Sequence, residues 1–330
     1  MNANKHIIDS TYNELKKSSE ADDDNYSKAK NTIIAYNKDF KDFVKFCKVY
    51  NKDPYAKDYE CIKIYLHSLG RSNLKISTIN RRLASIAHMY SEKNIEFNRS
   101  HYLITREIKN LKKKLGSSVT QKEALEPEQL DLIVNVINKK IKKNPNILNN
   151  YRDKALLSLL LYGGFRRSEL STLNIENVTK RNDYILIKLD KSKADQEGKN
   201  PGTAIYKNTQ KEYIPYCPVR SYYNWIEIAK IKNGRIFRHI DITNKILPHN
   251  SISDKAIALI VKKRTKDAGF DPALFSGHSG RAGIVTALKR RGASNEEIKK
   301  ITKQKSDSVV DSYDRRVEET ENTLAKYLKR

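Results

Sequence analysis

Residues 163–170 read G-G-F-R-R-S-E-L and come one residue after the apolar run Ala155 to Leu161. The two glycines allow a sharp turn, because glycine adopts backbone conformations that other residues avoid. Arg166 then opens a helix that Leu170 partly buries, and Glu169 lies three residues on, on the same helical face. The stretch therefore predicts a tight turn and then a partly buried helix, which begins with an arginine whose guanidinium an acid can hold.

Three further stretches carry side chains that suit chemistry on a phosphate. The motif H-S-G-R places His278 and Arg281 one helical turn apart, so that both point the same way. Lys193 lies in S-K-A-D-Q-E-G, and Tyr313 lies in V-V-D-S-Y-D-R. Guanidinium groups bind phosphate oxygens through paired N–H donors, and a phenol needs nearby cations and a base to ionise at neutral pH. Each motif alone is more often structural, but the combination indicates phosphoryl transfer.

We expect a short sheet around Lys193. Residues Tyr184 to Leu189 read Y-I-L-I-K-L, an alternating and β-rich pattern typical of a strand. Lys211 to Pro215 (K-E-Y-I-P) is the predicted partner strand. The polar stretch from Asp190 to Gly202 between them is predicted to place Lys193 at the tip of a hairpin.

Apolar residues recur every three or four positions in residues 26–116, which predicts four amphipathic helices in a compact domain. Ser77 or Thr78 is predicted to cap the third helix, and Cys47 and Cys61 are predicted to be buried thiols on apolar faces. The helical stripes run from Ile33 to Cys47, from Tyr59 to Leu69, from Ile79 to Tyr90 and from Ile104 to Leu115.

The outward face of the third helix carries side chains that can reach phosphates and base edges in a major groove. A merely solvated charged face explains the same pattern equally well. The candidate DNA contacts are Lys75, Asn80, Arg81, Arg82 and Ser85, with Lys255 as a further candidate in the second domain.

The domain organisation follows from composition. Residues 1–25 are polar and are predicted to be a flexible lead-in. Residues 26–116 form the first helical domain, 117–124 have the composition of a linker, and 125–330 form a second, mostly helical domain.

Composition bounds the class of protein. The chain has 330 residues and 64 Lys+Arg against 39 Asp+Glu, a formal net charge of +25, so a polyanion such as nucleic acid is the expected partner. No segment reaches the roughly 18 apolar residues of a membrane span. Three scattered cysteines fit neither a disulfide framework nor a zinc cage. We expect a cytoplasmic, nucleoid-associated protein that has no contact with a membrane and no metal ion or other cofactor.

Together and in this order, the motifs resemble those of the tyrosine recombinase (phage integrase) family, which includes Cre-like and Xer-like site-specific recombinases. The resemblance covers about Lys30 to Tyr313. G-F-R-R-S-E-L is similar to the first arginine box, which implies a catalytic Arg166 supported by Glu169. S-K-A-D-Q-E-G resembles the β-turn segment of the catalytic lysine, Lys193.

The second half of the site follows from the same resemblance. H-S-G-R-A-G is similar to the second box, which implies catalytic roles for His278 and Arg281, and Tyr313 then falls at the nucleophile. The chain departs from the family nine residues before the nucleophile, where Gln304 stands in place of His or Trp. An amide can donate a hydrogen bond to a phosphate oxygen, but it carries no charge.

The resemblance also implies a fold and an activity. The expected fold is mainly α, with a four-helix core-binding (SAM-like) domain and a mixed, mostly α catalytic domain that holds a small antiparallel sheet, the DNA breaking-rejoining enzyme fold. The expected activity is site-specific cleavage and rejoining of DNA, as in a mobile genetic element's integrase, through a 3′-phosphotyrosyl intermediate and without metal or ATP. The two domains form a C-shaped clamp around the duplex in this family.

The expected partners are double-stranded DNA with inverted-repeat target sites and, in some systems, accessory DNA-binding proteins. Residues 316–330 are similar to the family's docking helix, which implies a homotetramer on DNA, although a tail packed on its own domain is the simpler alternative.

Two other functions fit the residues less well. A DNA-binding regulator with a weakened site is favoured only by Gln304. A type IB-like topoisomerase that relaxes DNA uses the same chemistry, but a monomeric enzyme of that kind needs no docking helix.

Overall fold

The computed structural model describes residues 30–116, 122–189, 201–304 and 306–313. Contacts divide the chain into two compact units, and the division falls between Thr120 and Gln121. Each unit has its own hydrophobic core. The predicted lead-in, Lys193 and the predicted docking helix 316–330 lie outside the described residues.

The described part of the first unit, residues 30–116, consists of four helices, as the apolar pattern predicted. Their buried side chains, among them Phe43, Leu66 and Ile86, form one core. Cys47 and Cys61 lie in this core as free thiols with their Sγ atoms 4.0 Å apart, as the apolar pattern predicted. The helices are α1 (Lys30–Val49), α2 (Tyr59–Arg71), α3 (Ile76–Glu92) and α4 (Tyr102–Leu115).

Local chemistry determines where these helices begin and end. Asp58 caps α2 by accepting a hydrogen bond from the backbone N–H of Cys61 at 2.9 Å. Gly116 ends α4 with a backbone φ of +70°. The predicted cap of α3 is wrong: Lys75 occupies the cap position without a side-chain hydrogen bond. The helix starts early because Leu74 and Ile76 already pack against the core.

The second unit is built around one helix that is buried along most of its length. This helix is α6, in which Ala155 to Leu161 lie in the core without exposed surface. It packs against α5, α8 and α10. The helices are α5 (Pro127–Lys143), α6 (Leu148–Tyr162), α7 (Arg167–Thr172), α8 (Pro218–Ile228), α9 (Asp254–Asp267), α10 (Ser279–Arg290), α11 (Asn295–Thr302) and α12 (Asp307–Asp311).

Two small antiparallel sheets interrupt the helices. The first has the order β1 (Val178–Lys180), β2 (Tyr184–Ile187), β3 (Thr203–Tyr206), with Ile187 opposite Thr203. The second pairs β4 (Arg238–Ile240) with β5 (Ile246–Ser251). The mainly α fold with a small antiparallel sheet is confirmed.

The predicted partner strand Lys211–Pro215 is wrong, because this segment forms a 3-10 helix, Lys211–Tyr216. Pro215 lacks the N–H that a ladder needs. The true partner, β3, alternates in burial, with Thr203 and Ile205 inward. With only four residues, β3 is too short to stand out from the polar stretch before it.

The last residues of the predicted linker belong to the second unit. The Lys122 side chain donates a hydrogen bond to the carbonyl of Ala273 at 2.7 Å, and the Glu123 N–H donates to the carbonyl of Leu274 at 2.7 Å. Ala124 is buried. Residues 122–124 are therefore anchored, although their composition is that of a linker.

Among the described residues, none of the helices combines the length and the apolar character that a membrane span requires.

Candidate active site

Arg166 stands at the start of α7, where Glu169 holds it. The chain leaves α6 at Gly163, and Gly164 turns it with a φ of +57°. Glu169 is buried and accepts two hydrogen bonds of 2.7 Å, one from the backbone N–H of Arg166 and one from its Nη1. One carboxylate thus fixes both the backbone and the guanidinium of Arg166, whose side chain is 23% exposed.

Arg281 is a cation buried to 3% exposure in the first turn of α10. Its Nη1 donates to the carbonyl of Gly164 at 2.9 Å, and its Nη2 donates to the carbonyl of Thr302. Burial and the charge of Arg166 lower the pKa of Arg281 to about 10, although Glu169 and Tyr313 act in the opposite direction. The side chain still carries its charge at neutral pH and ties together three distant segments.

His278 occupies the cap position before α10 and is exposed. Partial burial lowers its pKa from the usual value of 6.5, and the charges of Arg167, Arg281 and Arg166 lower it further. The imidazole is therefore neutral at pH 7 and available as a proton acceptor.

Arg167 packs against Gly277, and its charge acts on the neighbouring His278. A Cβ atom at Gly277 would lie 1.7 Å from Cδ of Arg167, so any larger residue would displace the arginine. Arg167 did not figure in the predicted site, although the pair R-R in the first motif showed a second guanidinium next to Arg166.

Gln304 lies two residues beyond α11, and its side chain is mostly buried. Lys303 adopts a left-handed conformation with φ +55°, which turns the chain back. The hydroxyl of Thr302 donates to Oε1 of Gln304 at 2.9 Å. With the amide oxygen occupied, the amide nitrogen is the end that can donate to a ligand.

Tyr313 lies two residues beyond α12 and is partly buried. Its side chain packs on a small cluster formed by Val285, Ile298 and Val310. Its carbonyl accepts a hydrogen bond of 3.0 Å from the hydroxyl of Thr286, and its N–H donates to the carbonyl of Val310 at 3.0 Å. The phenol lies close enough to Arg281 to raise the pKa of that arginine.

These contacts link most of the predicted site. Arg166 pairs with Glu169, and the charges of both act on Arg281. Thr302 connects Arg281 with Gln304, and Tyr313 lies within electrostatic range of Arg281. In the described part of the chain, no three His, Cys, Asp or Glu side chains are grouped so that they could hold a metal ion.

The candidate DNA contacts of the first unit differ in exposure. Lys75 is exposed and Asn80 is half-buried. Arg81 pairs with Asp39 at 3.3 Å and keeps 47% of its side chain exposed. Arg82 pairs with Asp42 at 3.0 Å and is only 18% exposed.

Ser85 is fully buried and donates to the carbonyl of Arg82 at 2.7 Å. The prediction that Ser85 lies on the outward face is wrong, because α3 packs against α1, α2 and α4 and so buries a wide face. Lys255 is exposed in the first turn of α9.

Comparisons with known proteins match both units. Residues 123–319 match the phage integrase family, and residues 25–94 match the phage integrase N-terminal SAM-like domain. The chain is 32% identical over 294 residues to an integrase/recombinase xerD homolog of Selenomonas ruminantium, covering 87% of this chain and 82% of that protein. It is 27% identical over 302 residues to tyrosine recombinase XerC of Rickettsia bellii, covering 88% and 87%.

Solved structures share the fold. The XerH site-specific recombinase bound to a palindromic difH substrate has a TM-score of 0.60 at 16% identity, over 86% of this chain and 74% of that chain. A lambda integrase(75-356) dimer bound to a COC′ core site has a TM-score of 0.54 at 14% identity, over 93% and 94%. With the sequence matches to both units, the chain belongs to the phage integrase family of tyrosine recombinases.

Proposed function

We propose that this recombinase cleaves and rejoins double-stranded DNA at specific sites through a covalent bond between Tyr313 and a 3′-phosphate. The proposal is carried by the Tyr313 phenol, which lies near enough to the buried Arg281 guanidinium to interact with its charge. A phenol next to a fixed cation is placed to attack a phosphate that the same cation binds.

Each step is assigned to a side chain. Arg166 and Arg281 bind the non-bridging oxygens of the phosphate, and Gln304 donates its amide N–H to one of them. His278 accepts the phenol proton as the bond from Tyr313 to phosphorus forms. The bond from phosphorus to the 5′-oxygen breaks, and Lys193 gives that oxygen its proton.

The reverse reaction restores the DNA. The phosphotyrosyl ester keeps the energy of the broken phosphodiester, so a 5′-hydroxyl from a second duplex can attack it and release Tyr313. This exchange consumes no ATP. The two arginines and Lys193 supply the positive charge that the transition state needs, and we propose that no metal ion takes part.

We propose an assembled complex as the active form. The XerH structure contains a palindromic substrate and the lambda integrase structure is a dimer on its core site. By analogy, this chain binds inverted-repeat sites through both units and forms a homotetramer in which residues 316–330 dock on a neighbour. The net charge of +25 fits an extended phosphate surface. Accessory DNA-binding proteins are a further proposed partner.

The test uses target duplexes selected for binding to the full chain. Two half-sites are incubated with the protein in excess EDTA and without ATP, and the joined product is measured by gel electrophoresis. We expect strand exchange at the rate seen with Mg²⁺. Exchange that is abolished by EDTA and restored by Mg²⁺ contradicts the proposal.

The same assay separates the alternatives. Relaxation of supercoiled plasmids that lack the target site, without joining of half-sites, identifies a topoisomerase. Site-specific binding without any cleavage identifies a regulator.

A further inference from the structure

Thr302 contacts two residues of the proposed site, Arg281 and Gln304. It is the last residue of α11 and is 1% exposed. Its carbonyl accepts the hydrogen bond from Nη2 of Arg281, and its hydroxyl donates to Oε1 of Gln304 at 2.9 Å. A single buried residue therefore contacts both a buried guanidinium and the amide that replaces the family's usual His or Trp.

The local backbone makes this double contact. Lys303, at φ +55°, turns the chain directly after Thr302, so the side chain of Gln304 folds back onto the residue two positions before it. The Thr302 hydroxyl also lies 2.8 Å from the carbonyl of Ile298, one helical turn earlier. The hydroxyl has one proton, which the two oxygens share as a three-centre hydrogen bond, and both acceptors favour the rotamer in which Oγ1 of Thr302 faces Gln304.

A glutamine amide has little orientation of its own, since its terminal torsion is broad. A histidine or tryptophan ring presents its N–H from a rigid plane. An amide at this position needs a neighbour that occupies its oxygen and leaves its nitrogen facing the phosphate. Thr302 is the neighbour within hydrogen-bond distance of that oxygen.

We propose that Thr302 is a positioning residue for cleavage, whose hydroxyl orients the Gln304 amide toward the phosphate that Arg281 binds. This inference rests on the proposed function. The Arg281 contact uses the backbone carbonyl of Thr302, so a change of its side chain separates the two contacts.

The experiment compares Thr302→Val and Thr302→Ser in single-turnover cleavage of a nicked target duplex, with DNA affinity measured separately. Valine keeps the shape and removes the hydroxyl, whereas serine keeps the hydroxyl and removes the methyl group. We expect Thr302→Val to cleave roughly tenfold more slowly at unchanged affinity, about the effect of one lost orienting hydrogen bond. We expect Thr302→Ser to stay within about threefold of the parent rate.

A double-mutant cycle tests whether Thr302 affects the cleavage rate through Gln304. If Thr302 acts through Gln304, Thr302→Val should cost nothing further once Gln304→Ala has removed the amide. Equal losses in both backgrounds overturn the inference, as do a parent-like rate in Thr302→Val or a Thr302→Ser variant as slow as the valine variant.

Adduct formation by the parent protein distinguishes a failure of this inference from a failure of the proposed function. A parent that forms no covalent adduct overturns both. A parent that cleaves through Tyr313 while Thr302→Val cleaves equally fast overturns the role of Thr302 alone. Thermal unfolding of each variant, followed by circular dichroism, shows that slower cleavage is not loss of folded protein.

Discussion

Arg281 is a charged side chain at a nearly solvent-free position whose hydrogen bonds go to backbone carbonyls rather than to a carboxylate. Carbonyl groups hold the guanidinium in place without neutralising it, so its charge is left for a phosphate. Arg166 differs, because Glu169 neutralises it directly. The two arginines therefore contribute unequally to the electrostatic attraction of the site for an anion.

Burial and the arginines around His278 should lower the pKa of its imidazole in the free protein. Partial burial and the charges of Arg167, Arg281 and Arg166 lower its pKa below 6.5, so the imidazole should take up its proton only at a pH below that value. The titration of its ring protons by NMR measures this pKa. In Arg167→Gln the pKa should rise, because the largest of the charge effects is removed. A parent pKa at or above 6.5, or no change in the variant, contradicts the arrangement described.

Some contacts of the site residues could be predicted from the sequence, and others could not. The pairing of Arg166 with Glu169 follows from a spacing of three on one helix, and the structure shows it. The contact of Thr302 with Gln304 depends on a left-handed Lys303, which a lysine adopts only through tertiary context. Neither the contact nor the buried position of Ser85 leaves a pattern in the sequence.

At the scale of the elements, a buried network of charges joins α6 to α9. Asp153 is 1% exposed and pairs with Arg152 and Arg264, each at 2.8 Å. The aspartate lies near the start of the helix that leads to the Gly164 turn. The network therefore helps to fix the helix that presents Arg166.

Removal of the shared acid should destabilise the second unit strongly. Asp153→Ala takes the shared carboxylate away from two buried arginines, of which Arg264 keeps Asp267 at 3.2 Å. Loss of one partner of a buried ion pair typically costs about 3–5 kcal/mol in the free energy of unfolding. Urea denaturation followed by the fluorescence of Trp225 measures this unit selectively, because the chain has one tryptophan and it lies in this core.

The control is Glu128→Ala, which removes an exposed ion pair with Arg291 in the same unit. That pair is solvated and should contribute less than about 1 kcal/mol. Equal losses for the two variants would show that the Asp153 network is no stronger than a surface pair.

Helices and strands could be predicted from the sequence where their apolar residues form a clear pattern. The long helices of the first unit have clear apolar stripes, and the sequence predicted them. β3 was missed because it has four residues and only Thr203 and Ile205 turn inward. Lys211–Pro215 looked like a strand from its composition, although its proline cannot donate to a ladder.

At the scale of the whole molecule, the net charge of +25 and two independently packed units lead to a prediction about DNA binding. Affinity for the target duplex should fall steeply with salt, in proportion to the phosphates contacted. Residues 1–116 and 122–330, produced separately, should each bind more weakly than the full chain, because the link makes the second contact intramolecular.

Fluorescence anisotropy over a range of salt concentrations measures both effects. A half that matches the affinity and site preference of the full chain would show that the two units do not act together on DNA.

The covalent bond between DNA and Tyr313 can be trapped and mapped directly. The full chain is incubated with a nicked target duplex, whose short 5′ fragment diffuses away after cleavage and leaves the adduct trapped, and the linked peptide is identified by mass spectrometry. We expect the DNA 3′-phosphate to be linked to Tyr313. Tyr313→Phe should form no adduct, although it should still bind the duplex. An adduct that persists in Tyr313→Phe, or that maps to another tyrosine such as Tyr223 or Tyr327, contradicts this expectation.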